Sequence, residues 1–182
     1  MNSKDKINFI VNWIKNYTKS INKQPVSLII GVSGGVDSAL TSTLCAKTGL
    51  KTIAISMPIK QNPSQHNLSL RHLEYLKKNF DNVDTKIIDL DNIFKSFEST
   101  MKEFDNELAY ANSRSRLRMV TLYQVAQSNN GIVVGTGNKV EDFGVGFYTK
   151  YGDGGVDISP IADCSKSDVW DLAREIGVIK DI

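Results

Sequence analysis

The feature that most constrains this chain is an apolar run ending in a pair of glycines. Residues 26–32 (VSLIIGV) pass directly into Ser33-Gly34-Gly35-Val36-Asp37-Ser38, and a small-residue helical stretch over 38–48 follows, ending at Gly49. A short, unbroken apolar run has the form of a strand buried on both faces, which occurs where helices cover both sides of a parallel sheet. The pattern recurs at 51–57 (KTIAISM), 85–90 (TKIIDL) and 131–135 (GIVVG), and a short fifth strand is expected within the glycine-rich segment 136–157.

Helical periods separate these runs. Ile7, Ile10, Val11 and Ile14 fall on one face of a helix over 5–20, which Gln24-Pro25 interrupts. Leu70, Leu73, Leu76 and Phe80 mark a helix over 66–80. Asp91 is placed to cap a helix running to about residue 104, and a longer one should occupy 107–128. Ser165-Lys166-Ser167-Asp168 has the form of a capping box and opens a last helix that ends at Gly177. The expected architecture is α/β: a doubly wound, mostly parallel five-stranded sheet with helices on both faces, forming one domain over residues 1–182. In such sheets ligands sit beyond the carboxyl ends of the strands, where the Ser33–Ser38 turn and the loop after the fourth strand should both lie.

Composition narrows the chemistry by exclusion. Twenty-two basic and twenty acidic residues leave a net charge of +2, which argues against general nucleic-acid or membrane binding. Cys45 and Cys164 stand apart with no CxxC or His/Cys cluster, which fits a reducing cytoplasmic setting. His66 and His72 lack ligands at metal spacing and read as surface residues of the third helix. The N-terminus carries lysines through an amphipathic stretch, unlike a signal peptide or a membrane span.

The glycine turn has the makings of a pyrophosphate cradle. Adjacent glycines allow close backbone approach to an anion, the helix start offers free N–H groups and positive potential, and Ser33 and Ser38 add hydroxyls. Asp37 would repel such a ligand unless it holds a cation bound to the phosphates. No lysine follows the glycines as in a GxxxxGK[ST] loop, so kinase or GTPase chemistry is disfavoured.

The SGGxDS string resembles the signature of the ATP pyrophosphatases, whose fold is adenine nucleotide alpha hydrolase-like. Three more segments are similar to NAD synthetase motifs: residues 112–119 (NSRSRLRM), 135–142 (GTGNKVED) and 147–157 (FYTKYGDGGVD). The chain is thus identified as a relative of the ammonia-dependent NAD synthetases. That resemblance implies ATP-dependent amidation of deamido-NAD by free ammonia through an acyl-adenylate, giving NAD, AMP and pyrophosphate. It makes Asp37 and Glu141 the Mg2+ ligands, and it places Gly31, Val32, Ser33, Gly34, Gly35, Val36, Asp37, Ser38, Thr136 and Lys166 against ATP. It assigns Arg116, Lys150 and Asp157 to deamido-NAD, with Asp37, Lys150 and Asp157 serving catalysis. Gln61 would meet the adenine, although Asn62, Ser64, Gln65 and Asn67 replace acidic residues frequent there. Arg114 and Arg118 are open between solvated and ligand-contacting roles. The family resemblance also implies a cytoplasmic homodimer and a further C-terminal segment, beyond Ile182, that closes over the dinucleotide. Two other readings are a non-catalytic nucleotide-binding module and another ATP pyrophosphatase, such as a tRNA-modifying enzyme.

Overall fold

The computed structural model describes residues 1–22 and 26–182; the expected break at Gln24-Pro25 lies outside the described residues. Among the described residues there are four parallel strands: β1 (Ser27–Gly31), β2 (Thr52–Ser56), β3 (Val83–Ile87) and β4 (Gly131–Val134), in the order β3-β2-β1-β4. The helices are α1 (Ser3–Ser20), α2 (Val36–Lys47), α3 (Pro63–Asn79), α4 (Asp91–Thr100), α5 (Glu107–Ser128) and α6 (Lys166–Ile176).

Period-two alternation along each strand divides its side chains between two cores. Leu28, Ile30, Ala54 and Val134 face one cluster, built with α1, α2, α3 and α6 through residues such as Ile14, Leu44, Leu76 and Leu172. Ile29, Ile53, Ile55 and Val133 face the other, completed by Phe94 of α4 and Met119, Leu122 and Ala126 of α5. Helix α2 is buried nearly all round, which explains its run of Ser, Ala and Thr: small side chains let it sit between the sheet and neighbouring helices. Its Thr41, Ser42 and Thr43 hydroxyls donate to carbonyls of the preceding turn, so the buried polar atoms are satisfied.

The strand order reverses direction at β1. The chain winds outward through β2 and β3 by way of α2 and α3, then crosses back over the opposite face through α4 and α5 to place β4 beside β1. The carboxyl ends of β1 and β4 therefore bound the topological switch point, where open α/β sheets form their ligand crevice.

The structure corrects three expectations. The fifth strand is reduced, among the described residues, to one parallel bridge between Ile158 and Val134. The segment before it is too rich in glycine to form a ladder, and Pro160 has no N–H to extend one. The third strand begins two residues before the expected 85–90 run, because buried Val83 pairs with Thr52 while the exposed end closes on the cap of α4. His72 is fully buried rather than on the surface: it shares the buried stripe of α3 with Ser69, Leu73 and Leu76. His66 is partly buried.

Candidate active site

The β1 turn is shaped by backbone contacts. Val32 still donates to Ile55 in the ladder at 2.8 Å, and Gly34 then takes φ +92°. A Cβ on Gly34 would lie 2.3 Å from the Gln65 carbonyl oxygen of α3, so glycine is needed both for conformation and for space. Gly35 caps α2 without a side-chain hydrogen bond, which leaves the first N–H groups of that helix unclaimed by any capping side chain. The Ser38 hydroxyl donates to Gly35 O at 2.9 Å and lies 3.1 Å from the Ser33 hydroxyl, while the Gln61 amide donates to Ser33 O at 2.9 Å.

Opposite this turn, Thr136 and Gly137 leave β4 and the chain enters a π-helical turn over Val140–Val145. Asn138, wholly buried, organises the junction. Its amide nitrogen donates to Asp37 Oδ1 at 2.8 Å, and its oxygen accepts from the Val140 and Glu141 amides at 3.0 and 3.1 Å. The ammonium of Lys166, from the first turn of α6, bridges the two walls, with Nζ 2.6 Å from Asp37 Oδ2 and 3.0 Å from Glu141 Oε1. Burial alone would lower the Lys166 pKa, but these two carboxylates raise it. The neighbouring Asp142 carboxyl is pushed up, first by burial and then by Asp153, Glu141 and Asp37. A Cβ on Gly137 would fall 1.9 Å from an Asp142 oxygen, so this wall also depends on a missing side chain.

Two connected spaces result. The larger, about 770 Å3, runs from Gly31, Val32 and Ser33 past Met57 and Gln61 to Asn112, Arg118, Thr136 and Phe147. The smaller, about 150 Å3, is lined by Ser33, Gly35, Asp37, Thr136, Glu141, Asp142 and Asp153. Arg118 donates to Met57 O at 2.9 Å and fixes one rim; burial, then Arg114, lowers its pKa. Arg114 lies over the Phe94 ring at 5.6 Å.

The structure thus brings together Ser33, Ser38, Asp37, Thr136, Glu141 and Lys166. It does not bring Arg116, Lys150 or Asp157 into either space. Arg116 Nε donates to the Lys150 carbonyl at 3.0 Å, while the Lys150 ammonium is held 5.0 Å over the Tyr151 ring. Asp157 accepts from the Val133 amide at 2.7 Å and from the Tyr123 hydroxyl at 3.0 Å. Burial and that carboxylate push the Tyr123 pKa up to about 12, so the hydroxyl stays a donor. Motif and spacing do not single out Asn138 or Asp153, yet both organise the site. Asp153 accepts from Ser115 Oγ and the Thr149 amide, each at 2.8 Å, and thereby docks the loop on α5. Its place inside the GDGG string is the available signal; for Asn138 it is a short polar residue two positions after Thr136.

Fold and site first define a class: a parallel α/β protein with a glycine turn and two converging carboxylates at the switch point of its sheet. The sequence profile of NAD synthase matches residues 6–182, and the chain belongs to that family. The NH(3)-dependent NAD(+) synthetase of Carboxydothermus hydrogenoformans is 36% identical over 187 residues, covering 100% of this chain and 74% of the relative. That of Saccharolobus solfataricus is 41% identical over 172 residues, covering 94% of this chain and 59% of the relative. Among solved structures, NMN synthetase from Francisella tularensis superposes with a TM-score of 0.90 at 34% identity, over 100% of this chain and 74% of that one. The NH3-dependent NAD synthetase from Campylobacter jejuni, in complex with the nitrate ion, gives 0.88 at 30% identity, over 100% and 76%.

Proposed function

We propose that the chain is an ammonia-dependent, AMP-forming NAD synthetase that amidates deamido-NAD at the expense of ATP. The observation that carries this reading is the convergence of Asp37 and Glu141, from separate strand ends, on the Lys166 ammonium beside the uncapped start of α2. The nicotinate carboxylate attacks the α-phosphorus and the bond to pyrophosphate breaks. Ammonia then attacks the acyl carbon and AMP leaves. Neither step needs a protein nucleophile. The protein positions the reactants and offers donors where charge accumulates, which suffices for most of the acceleration in phosphoryl-type transfer.

In that scheme the amides of the Gly34–Ser38 turn hold the departing pyrophosphate, and Ser33, Ser38 and Thr136 supply hydroxyls. The donor set fits Mg2+. Two carboxylate oxygens already share one cation, and hard oxygen ligands completed by phosphates and water are what this metal takes. Asp37 and Glu141 would hold the metal; among the described residues no group of three or more His, Cys, Asp or Glu side chains is arranged so that it could hold one. When bound, the metal would neutralise charge on the leaving group. Lys150, exposed on the loop, and Arg116 are assigned to the acidic dinucleotide; Asp157 acts by fixing the loop to Val133. Residues 1–182 are read as one domain, since a single sheet carries a core on each face. Exposed Phe143 and Val145, outside the lining of either space, supply apolar surface suited to a homodimer. Buried, unpaired Cys45 and Cys164 suit a reducing cytoplasm, and no described helix is long and apolar enough to cross a membrane.

The likeness to an NMN synthetase carries a second reading, amidation of the mononucleotide instead. Incubation with ATP, Mg2+, ammonium and either deamido-NAD or nicotinate mononucleotide, following amide product and AMP together, tests both. Equal yields of NAD and AMP are expected from the dinucleotide. Product from the mononucleotide alone would transfer the assignment. No product, with ATP still protecting against thermal unfolding, would reduce the chain to a nucleotide-binding module. Asp37→Asn should lower AMP release by about a hundredfold or more, and full activity in that variant would sink the mechanism.

A further inference from the structure

We propose that Lys166 is a resident counter-cation which keeps divalent metal off Asp37 and Glu141 until nucleotide phosphates arrive, so that metal and nucleotide enter together. The inference rests on assigning those two carboxylates to the metal.

The backbone that carries Lys166 is fixed. Ser165 caps α6 by accepting from the Asp168 amide at 3.2 Å, the Asp168 carboxylate accepts from the Ser165 amide at 2.9 Å, and Lys6 pairs with Asp168 at 3.0 Å. Val169 and Leu172 are buried immediately behind. The Lys166 side chain is 40% exposed, so its ammonium can exchange a partner for water cheaply. At the first turn of a helix a lysine adds to the positive end of the macrodipole, an unfavourable place that needs an anionic partner.

Asp37, in contrast, is held without it: the Asn138 amide nitrogen donates to Asp37 Oδ1, and the Asn138 oxygen accepts from the backbone amide of Glu141, which fixes the turn that presents the Glu141 carboxylate. The ammonium therefore fills a position whose Asp37 side and Glu141 backbone the protein has built independently. An ammonium has three donors, and two are already committed to these oxygens. A second cation arriving alone would meet the like charge of the ammonium and leave those donors unpaired. Phosphate oxygens arriving with the metal remove both obstacles, because they accept the displaced N–H groups. The turn that would hold them adjoins the same acidic space, whose wall includes Ser33, Gly35 and Thr136.

The test is Mn2+ binding to the full chain without nucleotide, followed by electron paramagnetic resonance. Lys166→Met should bind Mn2+ at least about tenfold more tightly than the unchanged chain, as expected when a competing charge is removed. Adding Asp37→Asn to that variant should abolish the gain, and Lys139→Met, exposed on the segment that carries Glu141, should shift affinity less than about twofold. Equal or weaker binding by Lys166→Met, with Asp37→Asn still lowering the affinity of the unchanged chain, would overturn the inference and leave the metal assignment standing. A gain as large from Lys139→Met would also overturn it, by reducing the effect to general charge. Binding indifferent to both Asp37→Asn and Glu141→Gln would remove the inference together with the assignment. Circular dichroism melts check folding, and Lys166→Gln, read the same way, replaces the methionine variant if that one does not fold.

Discussion

The turn after β1 and the loop after β4 face each other across one cleft, but different forces hold them. The turn is braced by α2, which is buried nearly all round, and by backbone contact with α3, so its geometry is set mostly by backbone and small residues. The loop is exposed over most of 143–151 and is held by side chains reaching across long stretches of sequence: Asp153 to Ser115, Thr149 to Asn112 at 2.9 Å, Arg116 to the Lys150 carbonyl and Asp157 to Val133. A turn braced by the core has little freedom to rearrange, whereas a loop held by scattered polar ties has a low local stability. Phosphate groups common to many ligands suit the first, and the variable part of a substrate suits the second.

The sharpest way to break this contrast is Gly34→Ala. It must force a side chain into the left-handed region and into the Gln65 carbonyl at once. We expect a loss of about 4 kcal/mol in urea unfolding, combining backbone strain with overpacking against a neighbour that cannot retreat. A loss below about 1 kcal/mol would show that the turn yields as easily as the loop.

The bracing behind the turn should also show in pH. His72 Nε2 lies 2.9 Å from the Ser42 hydroxyl of α2, and burial pushes its pKa from 6.5 down to about 4. The unfolded chain takes up this proton near 6.5 and the folded chain only near 4, so the contribution is fully present above 6.5 and is lost as pH falls between the two. A tenfold change in proton affinity corresponds to about 1.4 kcal/mol, so the whole contribution is about 3 kcal/mol. His72→Gln should flatten the acid limb of a stability–pH curve between pH 6.5 and 4; an unchanged limb would place the titration elsewhere.

The same contrast explains what can be read from sequence. Strand–turn–helix order and both cores follow from apolar periodicity, and the rule that ligands gather at carboxyl edges puts the Ser33–Ser38 turn and the loop after β4 on one side. These are local patterns or general properties of sheets; the pairing of Asp37 with Glu141 comes from the family resemblance. The burial of His72 is hidden because a histidine within a leucine stripe reads as polar surface, although Ser69, His72, Leu73 and Leu76 share one face. The fifth strand shrinks to a bridge because backbone contact with β4, among the described residues, stops at Asp157 and Ile158, between a glycine-rich segment and Pro160. The tie from Arg116 to a carbonyl is illegible for a different reason: a cation near an acidic substrate and a cation near a backbone oxygen look alike in sequence, and only the folded loop distinguishes them.

The loop's own dependence on side-chain ties is the finer test. A Cβ on Gly152 would sit 2.3 Å from Ser115 Oγ, whereas on Gly144 the nearest atoms it would meet lie at 3.8 Å. Gly152→Ala should raise KM for the nicotinate substrate about tenfold while changing global stability by less than about 0.5 kcal/mol, since the core is untouched. Gly144→Ala should do neither. Ser115→Ala is milder still. It removes both the donor to Asp153 Oδ1 and the acceptor for the Asp153 amide but leaves the Thr149 amide in place, so a KM increase of about fivefold is expected, corresponding to about 1 kcal/mol for two exposed hydrogen bonds at about 0.5 kcal/mol each. If Ser115→Ala also restores the affinity lost in Gly152→Ala, the two residues act through one contact and the loop is positioned by it. If the two losses simply add, the loop is held elsewhere, and the division between a core-braced turn and a side-chain-tied loop would have to be redrawn around Thr149 and Asn112.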